Sequence, residues 1–179
     1  MAIVFVLSAC SAGDDGSFLI DPLVTEAIAL ATKSDGLTVS ASLPGVDGVA
    51  MNGIMVLSDN LDTTGEHYIG DFTATANFAS GNISGVSTDF VVGLFDPDGN
   101  PTGPQTSVGG SITTGSIALT PGSVLLVHAG NLEINSLTEI VTGSGTGSFL
   151  GADGDMFLSN GTLTSGTSTT TFLSAIIAD

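Results

Sequence analysis

The chain has almost no basic residues. Its 179 residues include 18 Asp and Glu but a single Lys or Arg, Lys33, so the formal net charge is −17. A nucleic-acid partner needs several Lys or Arg side chains to displace the counterions of its phosphates, and docking on an anionic membrane surface needs them too. The composition therefore excludes both modes of binding, and we interpret the acidic excess as adaptation to a salty medium rather than as a cation-binding device.

Tryptophan is absent, and cysteine occurs once, as Cys10. A lone cysteine excludes a disulfide within the chain and a cysteine-based metal cluster. Cys10 closes the sequence MAIVFVLSAC, in which Leu7-Ser8-Ala9-Cys10 matches the lipobox of bacterial lipoproteins, where the cysteine receives the lipid. The alternative is a small buried thiol in a first strand, but the polar run Ser11–Ser17 that follows is typical of a tether.

These N-terminal features predict the location of the protein. We expect a partial lipoprotein signal peptide over residues 1–9, lipid attachment at Cys10 and a flexible tether over 10–20, followed by a single domain over 21–179. The protein would then be lipid-anchored at the cell surface, on the bacterial outer membrane. No basic residue precedes Cys10 and the apolar core is short for a secretory signal. Either the true start lies upstream or the signal is weak, and we favour the first explanation.

The residue pattern of the rest of the chain predicts one helix and many short strands. Asp21-Pro22 is a favoured helix start, apolar residues recur at helical spacing up to Lys33, and Gly36 ends the pattern. From Leu37 onward apolar residues alternate or form short runs between turn residues. We count eight to eleven strands. Segments that we count as separate strands include Leu37–Ala41, Ile134–Val141, Ser148–Leu150, Met156–Leu158 and Thr162–Thr164. The prediction is an all-β fold: an antiparallel β-barrel of about eight strands with one short N-terminal helix, residues 21–34.

The clearest hairpin spans Gly70–Phe90. Phe72, Ala74, Ala76 and Phe78 alternate with polar residues, so one face is predicted to be buried. Ala79-Ser80-Gly81-Asn82 supplies turn residues. The second strand changes phase along its length, and we expect a bulge near Gly85 to account for this.

Two segments resemble a known family. FTATANFASGNISGVSTDF is similar to the signature hairpin of the transferrin-binding-protein-like surface lipoproteins, and Gly143–Thr164 is similar to their late barrel hairpin, with Leu163 in place of the usual Phe. The resemblance implies a barrel of the C-lobe type, a helix that plugs or covers one end of the barrel, and ligand capture by loops at its mouth.

Few residues are candidates for chemistry. His67 and His128 lie in predicted strands without a G-x-S-x-G motif nearby, and each fits a solvent-facing or hydrogen-bonded strand residue better than a general base. Haem ligation by His67, with Tyr68 beside it on the other face, lacks a predicted pocket. Asp96-Pro97-Asp98-Gly99-Asn100 and Asp153-Gly154-Asp155 fit plain turns better than calcium loops, because no Glu occupies the twelfth position from Asp96. We predict no catalytic residue, cofactor or metal site.

The predicted function is therefore binding rather than catalysis. We expect a monomeric surface barrel that captures a protein or small solute through its loops, for nutrient or iron acquisition. The candidate loops are Asn60–Thr64, Asp96–Pro101 and Thr102–Gly110. The alternative is a structural or adhesive envelope module without a small-molecule ligand. The two differ in whether those loops form a convergent site with exposed hydrophobic anchors. The sequence does not name the ligand.

Overall fold

The chain folds into a closed barrel. The structure, a computed structural model, describes residues 20–43, 45–59, 64–120, 123–166 and 168–178. Each strand pairs antiparallel with the next, and the last pairs with the first, which confirms the predicted barrel with its single short helix. The elements are α1 (Pro22–Ser34), β1 (Val49–Ser58), β2 (Gly65–Asn77), β3 (Asn82–Phe95), β4 (Thr106–Thr120), β5 (Ser123–Ile134), β6 (Leu137–Leu150), β7 (Met156–Ser165) and β8 (Ser168–Ala178).

The ends of α1 are those that the sequence predicts. Asp21 is the N-cap, and its carboxylate accepts a hydrogen bond of 2.9 Å from the backbone N–H of Leu23. Pro22 occupies the first helical position, where its missing N–H costs nothing. Gly36, with a φ of 82°, turns the chain away after the helix. Within the part of the chain that is described, no helix is long and apolar enough to cross a membrane.

The position of α1 differs from the one that the family resemblance implies. The helix lies against the outer wall of β1, β2 and β8 instead of covering an end of the barrel. Val24 and Leu30 are buried there against Ile54 and Val56 of β1. These two strand residues alternate with Met55, which points into the barrel. Because β1 carries apolar side chains on both faces, its outer face needs a cover, and α1 supplies it.

The barrel interior is a packed core. Inward-facing side chains from every strand contribute to it. Its largest fully buried members include five phenylalanines: Phe72, Phe90, Phe149, Phe157 and Phe172. Burying aromatic rings of this size stabilises the barrel by removing large apolar surfaces from water.

The predicted central hairpin is β2 and β3. Phe72, Ala74 and Ala76 are buried, while Thr73 and Thr75 are exposed, so the alternation of the sequence is confirmed. Gly81 in the turn has a φ of 74°, a conformation that glycine adopts without strain.

The prediction of a bulge near Gly85 is wrong, because the bulge of this hairpin lies further along β3. Ile69 pairs with Val91 and Asp71 with Thr88, so two residues of β3, Asp89 and Phe90, lie opposite Gly70 alone. Asp89 has a φ of 52°. At this bulge the Phe90 ring lies over Gly70, where a Cβ would be 2.5 Å from the ring.

The strand count of eight, at the low end of the predicted range, results from glycines that continue strands. The predicted pieces Ile134–Val141 and Ser148–Leu150 are largely joined in β6, and Met156–Leu158 and Thr162–Thr164 are joined in β7. The glycines between these pieces lie within the strands, and Gly145, Gly147 and Gly161 lie beneath aromatic rings of the core.

The contacts of these glycines are close. A Cβ on Gly145 would be 2.5 Å from Cζ of Phe172, and one on Gly147 would be 2.3 Å from Cζ of Phe157. Each glycine thus provides the space that one ring occupies.

The predicted strand Leu37–Ala41 is not a barrel strand. Val39 forms one isolated bridge with Leu150 at the end of β6. The backbone N–H of Ser40 donates to the carbonyl of Phe149 at 2.8 Å, and that of Gly151 donates to the carbonyl of Thr38 at 3.0 Å. Residues 37–40 are therefore fixed to the barrel wall beside the helix.

Candidate functional site: a groove between the helix and the barrel wall

A groove of about 620 Å³ lies between α1, the segment that follows it and the outer wall of the barrel. We call it the helix–wall groove. Its volume is within the range of small-molecule sites. About half of the lining residues are aliphatic: Val24, Ala27, Ile28, Ala31, Leu37, Val39, Ile54, Val56, Ile69, Leu150, Leu158, Leu173 and Ala175. The polar side chains of the lining belong to Ser34, Asp35, His67, Ser123, Thr146, Ser148, Ser159 and Asn160.

The groove follows from the sizes of the residues that meet there. The helix turns small side chains, Ala27 and Ala31, toward the groove, while the wall presents larger ones such as Leu158 and Leu173. Small residues on the helix leave space that the wall residues do not fill. The sequence signal for this second apolar face is the nearly continuous apolar run Met51–Leu57, which is typical of a strand covered on both sides. That run does not reveal that the cover is incomplete.

His67 is the buried polar side chain of this groove. It lies on β2 with 4% of its surface exposed, and its ring stacks on Phe95 with centroids 4.9 Å apart and an interplanar angle of 9°. Its Nε2 atom is buried and has no hydrogen-bond partner among the described residues. Burial lowers the pKa of His67, so the ring is neutral at neutral pH.

The prediction for His67 was therefore wrong in one respect. It does not face solvent, because α1 and Phe95 cover the outer face of β2 at this position. An uncharged imidazole with a free nitrogen, held against an apolar surface, can give or take one hydrogen bond from a ligand.

Charge is nearly absent from the helix–wall groove. Among the described residues that line it, Asp35 is the one with a charged side chain. Lys33 is exposed on the helix and does not line the groove. The polar lining residues besides His67 include Thr146 and Asn160, both at exposed positions of the wall.

His128 lies elsewhere, inside the barrel. It is 3% exposed, its Nδ1 is 2.9 Å from Oγ1 of Thr114, and its ring meets that of Phe172 at 4.3 Å in an edge-on arrangement. Burial lowers its pKa to about 4. It too was predicted to face solvent or to be hydrogen-bonded; it is buried, with one nitrogen bonded, because its strand phase matches that of the inward residues Val124 and Leu126.

Tyr68 is separated from His67 by the barrel wall. It lines a second cavity of about 520 Å³ at one mouth of the barrel, together with Glu66, Asp59 and Glu139. Burial raises the pKa of Tyr68, and these three carboxylates raise it further. The structure therefore does not bring His67 and Tyr68 to one site, and it gives no support to shared haem ligation.

The described residues of the candidate loops lie at different places on the barrel. Residues 60–63 lie outside the described residues, and Thr64 lines the mouth cavity. Gly99 lines the helix–wall groove instead, and Gln105 accepts a hydrogen bond of 2.9 Å from the backbone N–H of Asp21. The connection between β3 and β4 thus packs beside the start of the helix.

The acidic turn at Asp96 is held by its own backbone. One carboxylate oxygen of Asp96 accepts hydrogen bonds from the N–H groups of Asp98 at 3.0 Å and Asn100 at 2.8 Å. The bond from Asn100 is the main cause of the lowered pKa of Asp96. In the described ranges, no group of three or more His, Cys, Asp or Glu side chains, at Asp153-Gly154-Asp155 or elsewhere, is placed to hold a metal ion.

Cys10 and the predicted signal and tether, up to residue 19, lie outside the described residues, so the lipid attachment stays a prediction. Comparison of the chain with models of known protein families gave no match, and neither did comparison with curated proteins or with solved structures. The resemblance to transferrin-binding-protein-like lipoproteins therefore also stays a prediction.

Proposed function

We propose that the protein is a lipid-anchored binding barrel of the bacterial cell surface that retains a small apolar ligand in the helix–wall groove, and that it is not an enzyme. The observation that supports this most is the groove itself: an aliphatic cavity of about 620 Å³ with one buried, unpartnered imidazole nitrogen. A concave, largely apolar surface with a few polar groups is typical of a site that binds and orients a ligand.

The groove is better suited to this task than the mouth of the barrel. Apolar surface that leaves water on binding supplies affinity. The mouth cavity instead places Asp59, Glu66 and Glu139 around Tyr68. The ligand site that we propose therefore differs from the loop site that the family resemblance implies.

The alternative function, a structural or adhesive envelope module, makes a different prediction. In that case α1 would serve only to cover the outer face of β1, and the groove would be an imperfection of packing. A saturable small-molecule complex would not form. Ligand binding at the groove therefore distinguishes the two functions.

Filling the groove should abolish ligand binding. Ala31 lines the groove, whereas Ala29 is exposed on the same helix and does not line it. We expect Ala31→Phe to weaken binding of the neutral fluorophore Nile red by about tenfold or more, because the new ring takes the ligand's space. Ala29→Phe, the same change on the exposed side of α1, should bind as the unaltered protein does. The measurement is a fluorescence titration.

A second variant shows whether Ala31→Phe reduces binding by filling the groove or only by displacing α1. Leu173→Trp narrows the groove from the barrel wall, so it should reduce binding as Ala31→Phe does. Circular dichroism must show that both variants remain folded. Absence of saturable binding to the unaltered protein, or binding that neither variant reduces, would overturn the proposal in favour of the structural module.

The anchor is tested separately, by the intact mass of the protein extracted from its native envelope. We expect a mass that fits residues 10–179 plus a diacylglyceryl group and an acyl chain on Cys10. An unmodified mass that includes residues before Cys10 would exclude lipid attachment and leave groove binding to be judged alone.

A further inference from the structure

We infer that the ligand of the helix–wall groove is an uncharged amphiphile: an apolar chain or ring system that carries one hydroxyl or carbonyl group, which hydrogen-bonds to Nε2 of His67. This inference rests on the proposed function and adds the chemical class of the ligand. It depends on three observations, namely the unpartnered nitrogen, the neutrality of the imidazole and the charges near the groove.

The first observation is the nitrogen. His67 lines the groove, and its Nε2 atom is buried without a partner among the described residues. Buried polar atoms in folded proteins are nearly always hydrogen-bonded. Nε2 of His128 is also unpartnered, but it lies inside the packed barrel, whereas His67 belongs to a cavity that a ligand can enter. Stacking on Phe95 fixes the plane of the ring, which restricts the position of that group.

The second observation is the neutrality of the site. Burial favours the uncharged imidazole, which does not offer a positive charge to an anion. The neutral ring still provides one hydrogen-bond donor or acceptor at Nε2, according to its tautomer. A hydroxyl group of the ligand can accept a hydrogen bond from Nε2 or donate one to it, and a carbonyl group can accept one when Nε2 carries the proton.

The third observation is the charge distribution. The charged residue that lines the groove is acidic, Asp35, and the whole chain has a net charge of −17 with Lys33 as its one Lys or Arg. A carboxylate or phosphate head group would lack a basic partner and would be repelled. A cationic head group would have to leave water beside aliphatic side chains, with the exposed Asp35 as its counter-ion. An uncharged head group avoids both costs.

Displacement of Nile red by probes of one chain length tests the inference. The probes are dodecanol, dodecanoate, dodecylammonium and chlorododecane, which differ only in the head group. For the unaltered protein we expect dodecanol to bind more tightly than dodecanoate or dodecylammonium by about tenfold or more. It should also bind more tightly than chlorododecane, which lacks a hydrogen-bonding hydroxyl.

The role of His67 is tested by His67→Leu. Loss of one hydrogen bond to a buried partner should weaken the binding of dodecanol by about tenfold, while chlorododecane should bind as tightly as before or more tightly. The ratio of the two affinities is the informative quantity, because a general loss of structure would weaken both probes equally. The matched control is His128→Leu, the same change inside the barrel, which should leave the ratio unaltered.

The outcomes separate the two proposals. If Nile red does not bind, the proposed function fails. If Nile red binds and Ala31→Phe blocks it, but dodecanoate competes as well as dodecanol or His67→Leu leaves the ratio unaltered, the ligand class inferred here is wrong and the binding function stands. Tighter binding of dodecylammonium than of dodecanol would show that Asp35 selects a cation instead.

Discussion

Replacing Phe172 with alanine is expected to lower the free energy of unfolding by about 4 kcal/mol, because it removes a fully buried ring and leaves a cavity. The neighbours cannot close that cavity. The ring lies over Gly145 and Gly161, where an added Cβ would be 2.5 and 2.7 Å from its atoms. Glycines have no side chains to move into the space, so we expect a cost near the upper end for such substitutions.

Equilibrium unfolding in urea measures this effect. The control is Ile140→Ala on β6, at a position that is 71% exposed, where we expect a change of no more than about 0.5 kcal/mol. Should Phe172→Ala fail to fold, Phe172→Leu gives a smaller loss in the same direction. A loss below about 1 kcal/mol for Phe172→Ala would contradict the packing of aromatic rings over glycines.

Acidification should destabilise the barrel through His128. Its pKa is about 4 in the folded protein and near its ordinary 6.5 in the unfolded chain. Above pH 6.5 both states are neutral and the full stability is present. As the pH falls toward 4, His128 binds a proton in the unfolded chain but not in the folded state, so the free energy of unfolding decreases. Below pH 4 both states bind the proton, and the loss levels off. The shift corresponds to about 3 kcal/mol.

The comparison with His128→Gln isolates this contribution, because the carboxylates and His67 titrate in both proteins. The free energy of unfolding, measured in urea between about pH 7.5 and pH 4, should fall more steeply for the unaltered protein, by about 3 kcal/mol over the range. Glutamine keeps a polar group near Thr114 without a proton-binding site. Parallel pH profiles would show that His128 accepts its proton without unfolding.

The fold was largely predictable because it depends on local patterns. Alternation in Phe72, Ala74 and Ala76 indicated a half-buried strand, and Asp21-Pro22 indicated the start of a helix. Closure of the sheet into a barrel was predictable because an open sheet would leave the hydrogen-bonding groups of its two edge strands unpaired. The glycines of β6 and β7 were misleading, because glycine ends a strand as often as it makes space for a ring, and the distinction depends on the partner strand.

The helix–wall groove was not predictable, since it depends on long-range packing. Nothing local indicates that Ala27 and Ala31 face Leu158 and Leu173, which are far away in sequence. The burial of His67 has the same origin: its position on an outer strand face suggests exposure, and only the placement of α1 on that face reverses it.

The most direct test of the account is ring-nitrogen NMR during a titration with dodecanol. The chain has two histidines, so the signals of His67 and His128 are assigned with one variant. We predict that the Nε2 resonance of His67 shifts in a saturable manner while that of His128, inside the barrel, does not move. A shift of His128 alone, or no saturable shift of either ring, would contradict a hydrogen-bonded ligand in the helix–wall groove.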